Sequence, residues 1–122
     1  CIASNGNLIE IVPRLRIYKN PFSPTNQGCM IKLNRKILEY CKKIIKKLNI
    51  NADCDFDIIL NNKKEPQLLD GSCRLSGSVS ASINSGVNIP AQLIRVLKSK
   101  DIKKYKLKNG QKLFPTSKFV KI

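Results

Sequence analysis

Residues 54–74 read CDFDIILNNKKEPQLLDGSCR, and this stretch decides the fold. Aspartates and large apolar residues alternate over residues 54–60, which predicts a half-buried β-strand. The turn-forming residues that follow, and a second extended run at 67–70, complete a β-hairpin. Pairing of the two strands can bring Asp57 close to Asp70 on one face of the hairpin.

Turn residues and hydrophobic periodicity predict further elements on both sides of this hairpin. They are, in chain order, a hairpin at 1–18 turning at Asn5-Gly6, an irregular loop at 19–30, an amphipathic helix at 31–48, short helices at 79–85 and 90–98, and an edge strand at 112–122. This order predicts an α+β fold in which an antiparallel β-sheet is flanked by helices. We expect residues 1–122 to form a single domain.

The chain is strongly basic, with 23 Lys and Arg against 8 Asp and Glu, and a formal net charge of +15. Such a charge attracts phosphates, nucleic acids and anionic lipids whatever the function. Eighteen of the basic residues are lysines, and Ile (16) and Asn (12) are also abundant, as A/T-rich coding would produce. We therefore interpret the lysines as a solvated surface and do not expect nucleic-acid binding. A small basic nucleic-acid-binding module remains an alternative function.

Residue types that are absent or scattered exclude several kinds of site. The sequence has no histidine, which excludes histidine acid–base chemistry and the common zinc sites. Its five cysteines form no C-x-x-C pair and are expected to be reduced thiols, with Cys41 and Cys54 buried. No run approaches the roughly 20 apolar residues of a membrane span. We expect a cytoplasmic protein that does not associate with membranes.

Asp57 and Asp70 are the first candidates for chemistry. Two carboxylates facing each other repel unless a cation lies between them, and a Mg²⁺ ion that bridges nucleotide phosphates is one such cation. Ser72 could add an oxygen ligand, and Arg74 a planar cationic group for a phosphate. On spacing alone, a pair of solvated surface aspartates remains the competing interpretation.

Three segments together carry a family resemblance. Residues 56–94 contain FDIIL and PQLLDGSCRLSGSVSASINSGVNIPAQLI, and they resemble the C-terminal lobe of the ATP-grasp fold. The likeness is to members related to the carbamoyl-phosphate synthase large chain, whose pattern reads strand, turn, llEiNpRlsGs, small residues, aGvnlp and helix. NGNLIEIVPRLRIY (5–18) and NGQKLFPTSKFV (109–120) also match that family. The resemblance therefore covers nearly the whole chain in unbroken order.

The resemblance implies a metal site and a catalytic arginine. Asp57 falls on the first metal-binding acid of the family, and Asp70 and Ser72 fall on the Glu and Asn of EiNpR. Arg74 matches the arginine that supports acyl-phosphate chemistry and binds the nucleotide phosphates. The exchanges of Glu for Asp and of Asn for Ser are departures, because an aspartate reaches less far and a hydroxyl is a poorer Mg²⁺ ligand.

The resemblance also implies phosphate contacts outside the hairpin. Arg14 and Arg16 match the vpRkR strand, whose basic side chains face the phosphates, whereas their competing interpretation is as two exposed strand residues. Gly77 matches lsGs, where glycine allows close approach of the backbone to a cofactor. Packing of small residues between helices explains this glycine equally well.

The implied function is that of an ATP-dependent ligase. The parent protein would use ATP with Mg²⁺, or Mn²⁺, to join a carboxylate substrate to an amine or ammonia through an acyl phosphate. The chain begins at Cys1 inside a predicted strand, so we expect a fragment whose N-terminal ATP-grasp lobe and preceding α/β domain lie elsewhere. We expect the isolated chain to be inactive. A degenerate remnant used for protein–protein contact is the further alternative, and homo-oligomerisation is left open.

Overall fold

A computed structural model describes residues 1–17 and 28–114. Short strands and helices alternate along them in the predicted α+β manner, and every strand pairing is antiparallel. The elements are β1 (Ile2–Ser4), β2 (Asn7–Glu10), β3 (Arg14–Arg16), β4 (Cys29–Ile31), α1 (Arg35–Lys47), β5 (Asp55–Leu60), β6 (Pro66–Ser72), α2 (Val79–Asn84), α3 (Ile89–Leu97) and β7 (Lys112–Leu113). The predicted fold class is confirmed.

The described strands form three small sheets, β1-β2, β3-β4-β7 and β5-β6. The hairpin predicted at 1–18 extends only to Glu10, because the chain changes partner at residues 11–13, and Tyr18 lies outside the described residues. The Ile11 N–H donates to the Glu10 carboxylate at 3.1 Å, and Pro13 has no N–H to donate. Neither residue therefore supplies a ladder hydrogen bond from its N–H, and β3 resumes as the partner of β4.

Helix α1 begins later than the periodicity predicted, because residues 29–31 belong to β4. Its N-cap is Asn34, whose side-chain oxygen accepts hydrogen bonds from the Lys36 and Ile37 N–H groups at 2.9 and 3.3 Å. The predicted apolar face is confirmed, since Cys41 and Ile45 are the buried residues of the helix. The lysines of the opposite face are exposed to solvent.

Strand β1 separates two hydrophobic clusters. Ile2 packs with Val87 and Ile89 near α3, whereas the next residue, Ala3, packs with Ile45 and Cys54. Successive side chains of a strand point to opposite faces, so this three-residue strand holds a cluster on each side. Strand β1 thus contacts α1, α3 and Cys54, which directly precedes β5. These contacts hold the start of the β5-β6 hairpin in place.

The lysine-rich segment 98–108 has no regular secondary structure, yet it is held against α3. Gln92 is fully buried, and its side chain both donates to the Lys103 carbonyl at 2.9 Å and accepts from the Lys103 N–H at 3.2 Å. Beyond it, the predicted edge strand is present as β7, which pairs with β4. The rest of that prediction, at 115–122, and most of the predicted loop lie outside the described residues. Among the helices that the structure describes, none has the length and apolar character needed to cross a membrane.

Replacing Ile45 tests the cluster beneath α1. Ile45 is fully buried, so Ile45→Ala should lower the free energy of unfolding by about 2–5 kcal/mol, through lost burial and the cavity it leaves. Leu48 ends the same helix and is 65% exposed, so Leu48→Ala should change the free energy of unfolding by less than about 0.5 kcal/mol. Urea unfolding followed by circular dichroism measures both, and equal effects would contradict the described core.

Thiol reactivity tests the same packing independently. Burial raises the pKa of the Cys41 thiol to about 11, and the side chain is almost inaccessible, whereas Cys73 is exposed. At pH 8 a thiol with that pKa is ionised in only about one molecule in 10³, and the thiolate is the reactive form. Alkylation by iodoacetamide should modify Cys73 well before Cys41, and urea should remove the difference. Mass spectrometry of the peptides would refute the burial of Cys41 if both were labelled alike in the folded chain.

Candidate functional site

The register of the β5-β6 hairpin places polar residues on one face. Asp57 lies directly opposite Asp70, and Asp55 lies opposite Ser72. Residues two apart on a strand share a face, and directly opposed residues have Cβ atoms about 5 Å apart. The predicted meeting of Asp57 and Asp70 is therefore confirmed as geometry, and Asp55 and Ser72 extend the same polar face.

A β-bulge adjoins the two opposed aspartates. Asp57 pairs with Asp70, but the next residue of β5, Ile58, pairs with Leu68, so Leu69 is the extra residue. Bulges increase the local twist of a hairpin and re-aim the side chains beside them. The bulge thus separates the polar half of the hairpin, near Asp57, from an outer half whose leucines and isoleucine are exposed.

Arg14 of β3 connects the polar face to two other segments. Its guanidinium donates to the Asp55 carboxylate at 3.1 Å, to the Ser76 hydroxyl at 2.9 Å and to the Ser78 carbonyl at 3.1 Å. The Arg14 side chain is only 19% exposed, so these contacts are largely shielded from water. Arg14 is one of the two residues of this strand predicted to contact phosphate. In the structure its guanidinium binds acceptors of the chain itself.

Arg16, two residues further along β3, meets the next aspartate of β5. Its Nη2 atom lies 3.0 and 2.9 Å from the two carboxylate oxygens of Asp57. This pair is open to solvent, with the Arg16 and Asp57 side chains 59% and 50% exposed. The equal spacing of arginines in β3 and aspartates in β5 produces a ladder of two ion pairs, one shielded and one exposed.

The other predicted site residues, Asp70, Arg74 and Gly77, make fewer contacts with the described chain. Asp70 is exposed and makes no ion pair with the part of the chain that the structure describes. The exposed Arg74 side chain donates to the neighbouring Leu75 carbonyl at 3.2 Å. A Cβ atom placed on Gly77 would meet nothing within 4 Å, so helix packing does not explain that glycine. Close approach of a ligand to Gly77 stays a prediction.

The face offers the donor types that a magnesium ion prefers. Mg²⁺ binds through one or two protein carboxylates together with phosphate oxygens and water, and Asp57 and Asp70 supply two opposed carboxylates with the Ser72 hydroxyl nearby. Within residues 1–17 and 28–114, no three acidic, cysteine or histidine side chains cluster closely enough to hold a metal ion by themselves. The two aspartates and the serine alone would leave a Mg²⁺ ion with positions open to water or phosphate oxygens.

A small cavity with both polar and apolar walls lies beside Arg14, at a place that no sequence pattern predicted. The cavity has a volume of about 30 Å³, and its lining includes Asp53, Asp55 and Arg74. The Asp53 Oδ2 atom is buried without a hydrogen-bond partner among the described residues. A cavity of this size has room for water, which would satisfy that oxygen. The sequence signal that could have indicated this region is the matched i, i+2 spacing of arginines and aspartates.

Comparison with known proteins gives one family. The model of the family described as "ATP-grasp in the biosynthetic pathway with Ter operon" matches residues 1–118. No curated protein and no solved structure shows a significant match. The ATP-grasp resemblance is confirmed by this match, whereas the finer likeness to the carbamoyl-phosphate synthase large chain stays a prediction.

Removing Arg14 should separate the three segments that it joins. Arg14→Met leaves the half-buried Asp55 carboxylate without its cation, so we expect a loss of about 1–3 kcal/mol in the free energy of unfolding. Arg16→Met is the matched control, because an exposed ion pair contributes about 1 kcal/mol or less. Urea unfolding of both variants measures the difference. A loss for Arg16→Met as large as that for Arg14→Met would show that Arg14 is not the anchor.

Proposed function

This chain belongs to the ATP-grasp family described for the biosynthetic pathway with the Ter operon, and on that basis we propose that it supplies the metal and γ-phosphate side of an ATP-dependent ligase. The ligase would join a carboxylate to an amine or to ammonia. The observation that carries the proposal is the register of β5-β6, which opposes Asp57 and Asp70. Those two positions coincide with the two acids that the family resemblance assigned to the metal.

In this proposal Asp57 and Asp70 would hold the metal ion, and Ser72 would add a weak oxygen ligand. We propose Mg²⁺ as the ion and Mn²⁺ as the alternative. Both ions bind carboxylate and phosphate oxygens. When bound, the metal neutralises negative charge on the phosphate that is transferred. The hairpin backbone sets the separation of the two carboxylates, so the protein does not have to gather the ligands from flexible loops.

Arg74 would orient the γ-phosphate. A guanidinium presents a planar set of donors to phosphate oxygens, and the Arg74 side chain is exposed beside the hairpin. In the proposed reaction, a carboxylate oxygen of the substrate attacks the γ-phosphorus and ADP leaves with the electrons of the broken P–O bond. The amine then attacks the acyl carbon, inorganic phosphate leaves, and the amine nitrogen loses a proton.

ATP-grasp enzymes enclose the nucleotide between two lobes, so the proposal includes an N-terminal lobe as partner. A specific observation supports a contact on the outer half of the hairpin. Its large apolar residues are exposed, namely Ile59, Leu60, Leu68 and Leu69, and clusters of this kind mark interaction sites. The same surface would serve the alternative function, a remnant that has lost its metal and kept a protein–protein contact.

Substitutions at the metal positions distinguish the ligase from the remnant. In a protein that contains both lobes, Asp57→Asn should lower ATP-dependent ADP release about 10²-fold, because a lost charge stabiliser typically costs that much. The double variant Asp70→Glu with Ser72→Asn should bind Mg²⁺ more tightly in a working ligase, so that ADP release reaches half its maximal rate at a lower Mg²⁺ concentration. In a remnant the double variant should change nothing. Asp101→Asn, in the exposed segment after α3, is the control. A full rate for Asp57→Asn would show that this hairpin is not the metal site.

A further inference from the structure

The contact between Arg16 and Asp57 occupies a carboxylate that the proposed metal requires. One guanidinium nitrogen lies within 3.0 Å of both Asp57 oxygens, so a metal ion at that carboxylate competes with Arg16 for the same lone pairs. The pair is more than half exposed on the arginine side, where an ion pair is weak and its side chains can move. Because the Arg16–Asp57 pair is weak and solvated, a metal ion can replace Arg16 at the Asp57 carboxylate.

Resting on the proposed function, we propose that Arg16 is an exchangeable positioning residue. It holds Asp57 when no metal is bound, and it transfers to a phosphate when a metal–triphosphate complex arrives. Arg14 supports this exchange, because its three hydrogen bonds fix β3 two residues earlier and none of them involves the Arg16 side chain. The backbone beneath Arg16 therefore stays in place during the exchange.

Charge balance predicts that metal and phosphate bind together. Two ion pairs lie along the polar face, Arg14 with Asp55 and Arg16 with Asp57, and the exposed Asp70 lies opposite Asp57. A divalent cation alone must displace Arg16, and it then repels the released guanidinium. A triphosphate removes that repulsion, because it gives both cations an anionic partner. Linkage requires that each ligand then strengthens binding of the other.

Manganese binding by the 122-residue chain, followed by electron paramagnetic resonance, tests the exchange. Arg16→Gln should bind Mn²⁺ about three- to fivefold more tightly than the unmodified chain, the scale of an exposed ion pair. Arg95→Gln is the charge-matched control, since Arg95 lies in α3 and bonds the Asp101 carbonyl instead, at 3.4 Å. The preformed Mn²⁺–tripolyphosphate complex, followed by equilibrium dialysis, should bind more tightly than Mn²⁺ alone to the unmodified chain and to Arg95→Gln, with a much smaller gain for Arg16→Gln.

The Asp57→Asn variant separates failure of the exchange from failure of the function. If Asp57→Asn binds Mn²⁺ as tightly as the unmodified chain, the ion does not use Asp57, and both the exchange and the proposed metal site are wrong. If Asp57→Asn weakens binding but Arg16→Gln behaves like Arg95→Gln or binds more weakly, only the exchange is overturned. If the unmodified chain shows no binding, measurable binding by Arg16→Gln supports the exchange, and its absence refutes the exchange.

Discussion

The guanidinium of Arg14 is the interaction on which the arrangement of the candidate site depends. It is mostly buried, and its donors reach one acceptor in β5 and two in the loop before α2. Three acceptors, one of them a carboxylate, offset the cost of removing this charge from water. With Arg14 bound to Asp55, Arg16 lies beside Asp57, and the opposed aspartates acquire a cationic neighbour.

The hydrophobic clusters determine which part of the hairpin is fixed. Cys54 immediately precedes β5 and is buried in the cluster of Ala3 and Ile45, and Phe56 packs against the same cluster. The inner half of the hairpin is therefore anchored where Asp57 and Asp70 meet. Beyond the bulge, Tyr40 of α1 accepts a hydrogen bond from the Leu68 N–H at 3.2 Å, while the neighbouring apolar side chains remain exposed. The exposed side chains of the outer half can therefore accept a partner at a distance from Asp57 and Asp70.

The sequence predicted the features that depend on local patterns. Alternation gave the hairpin and the opposition of its aspartates, and periodicity gave the buried face of α1, since both follow from side-chain spacing along one element. Such patterns did not predict which strands pair with each other or which side chains form ion pairs. The break at residues 11–13, the bulge after Asp57 and the pairing of Arg14 with Asp55 depend on which segments meet in space. The bulge also shows that the register between two paired strands can shift partway along the hairpin, even where the apolar and polar residues of each strand alternate regularly.

Net charge and local charge have different consequences for a phosphate ligand. The formal charge of +15 attracts any polyanion over a distance, and salt screens that attraction. At the hairpin, however, Arg14 and Arg16 are already paired with Asp55 and Asp57, so these two arginines offer a phosphate little net attraction. In the proposed exchange, a phosphate would gain Arg16 only as a metal ion takes Asp57, and salt screens such short contacts less than the long-range attraction. A lysine-rich surface can therefore concentrate nucleotides near the protein, whereas selection of a metal-bound triphosphate would depend on the few arginines and aspartates that face one another.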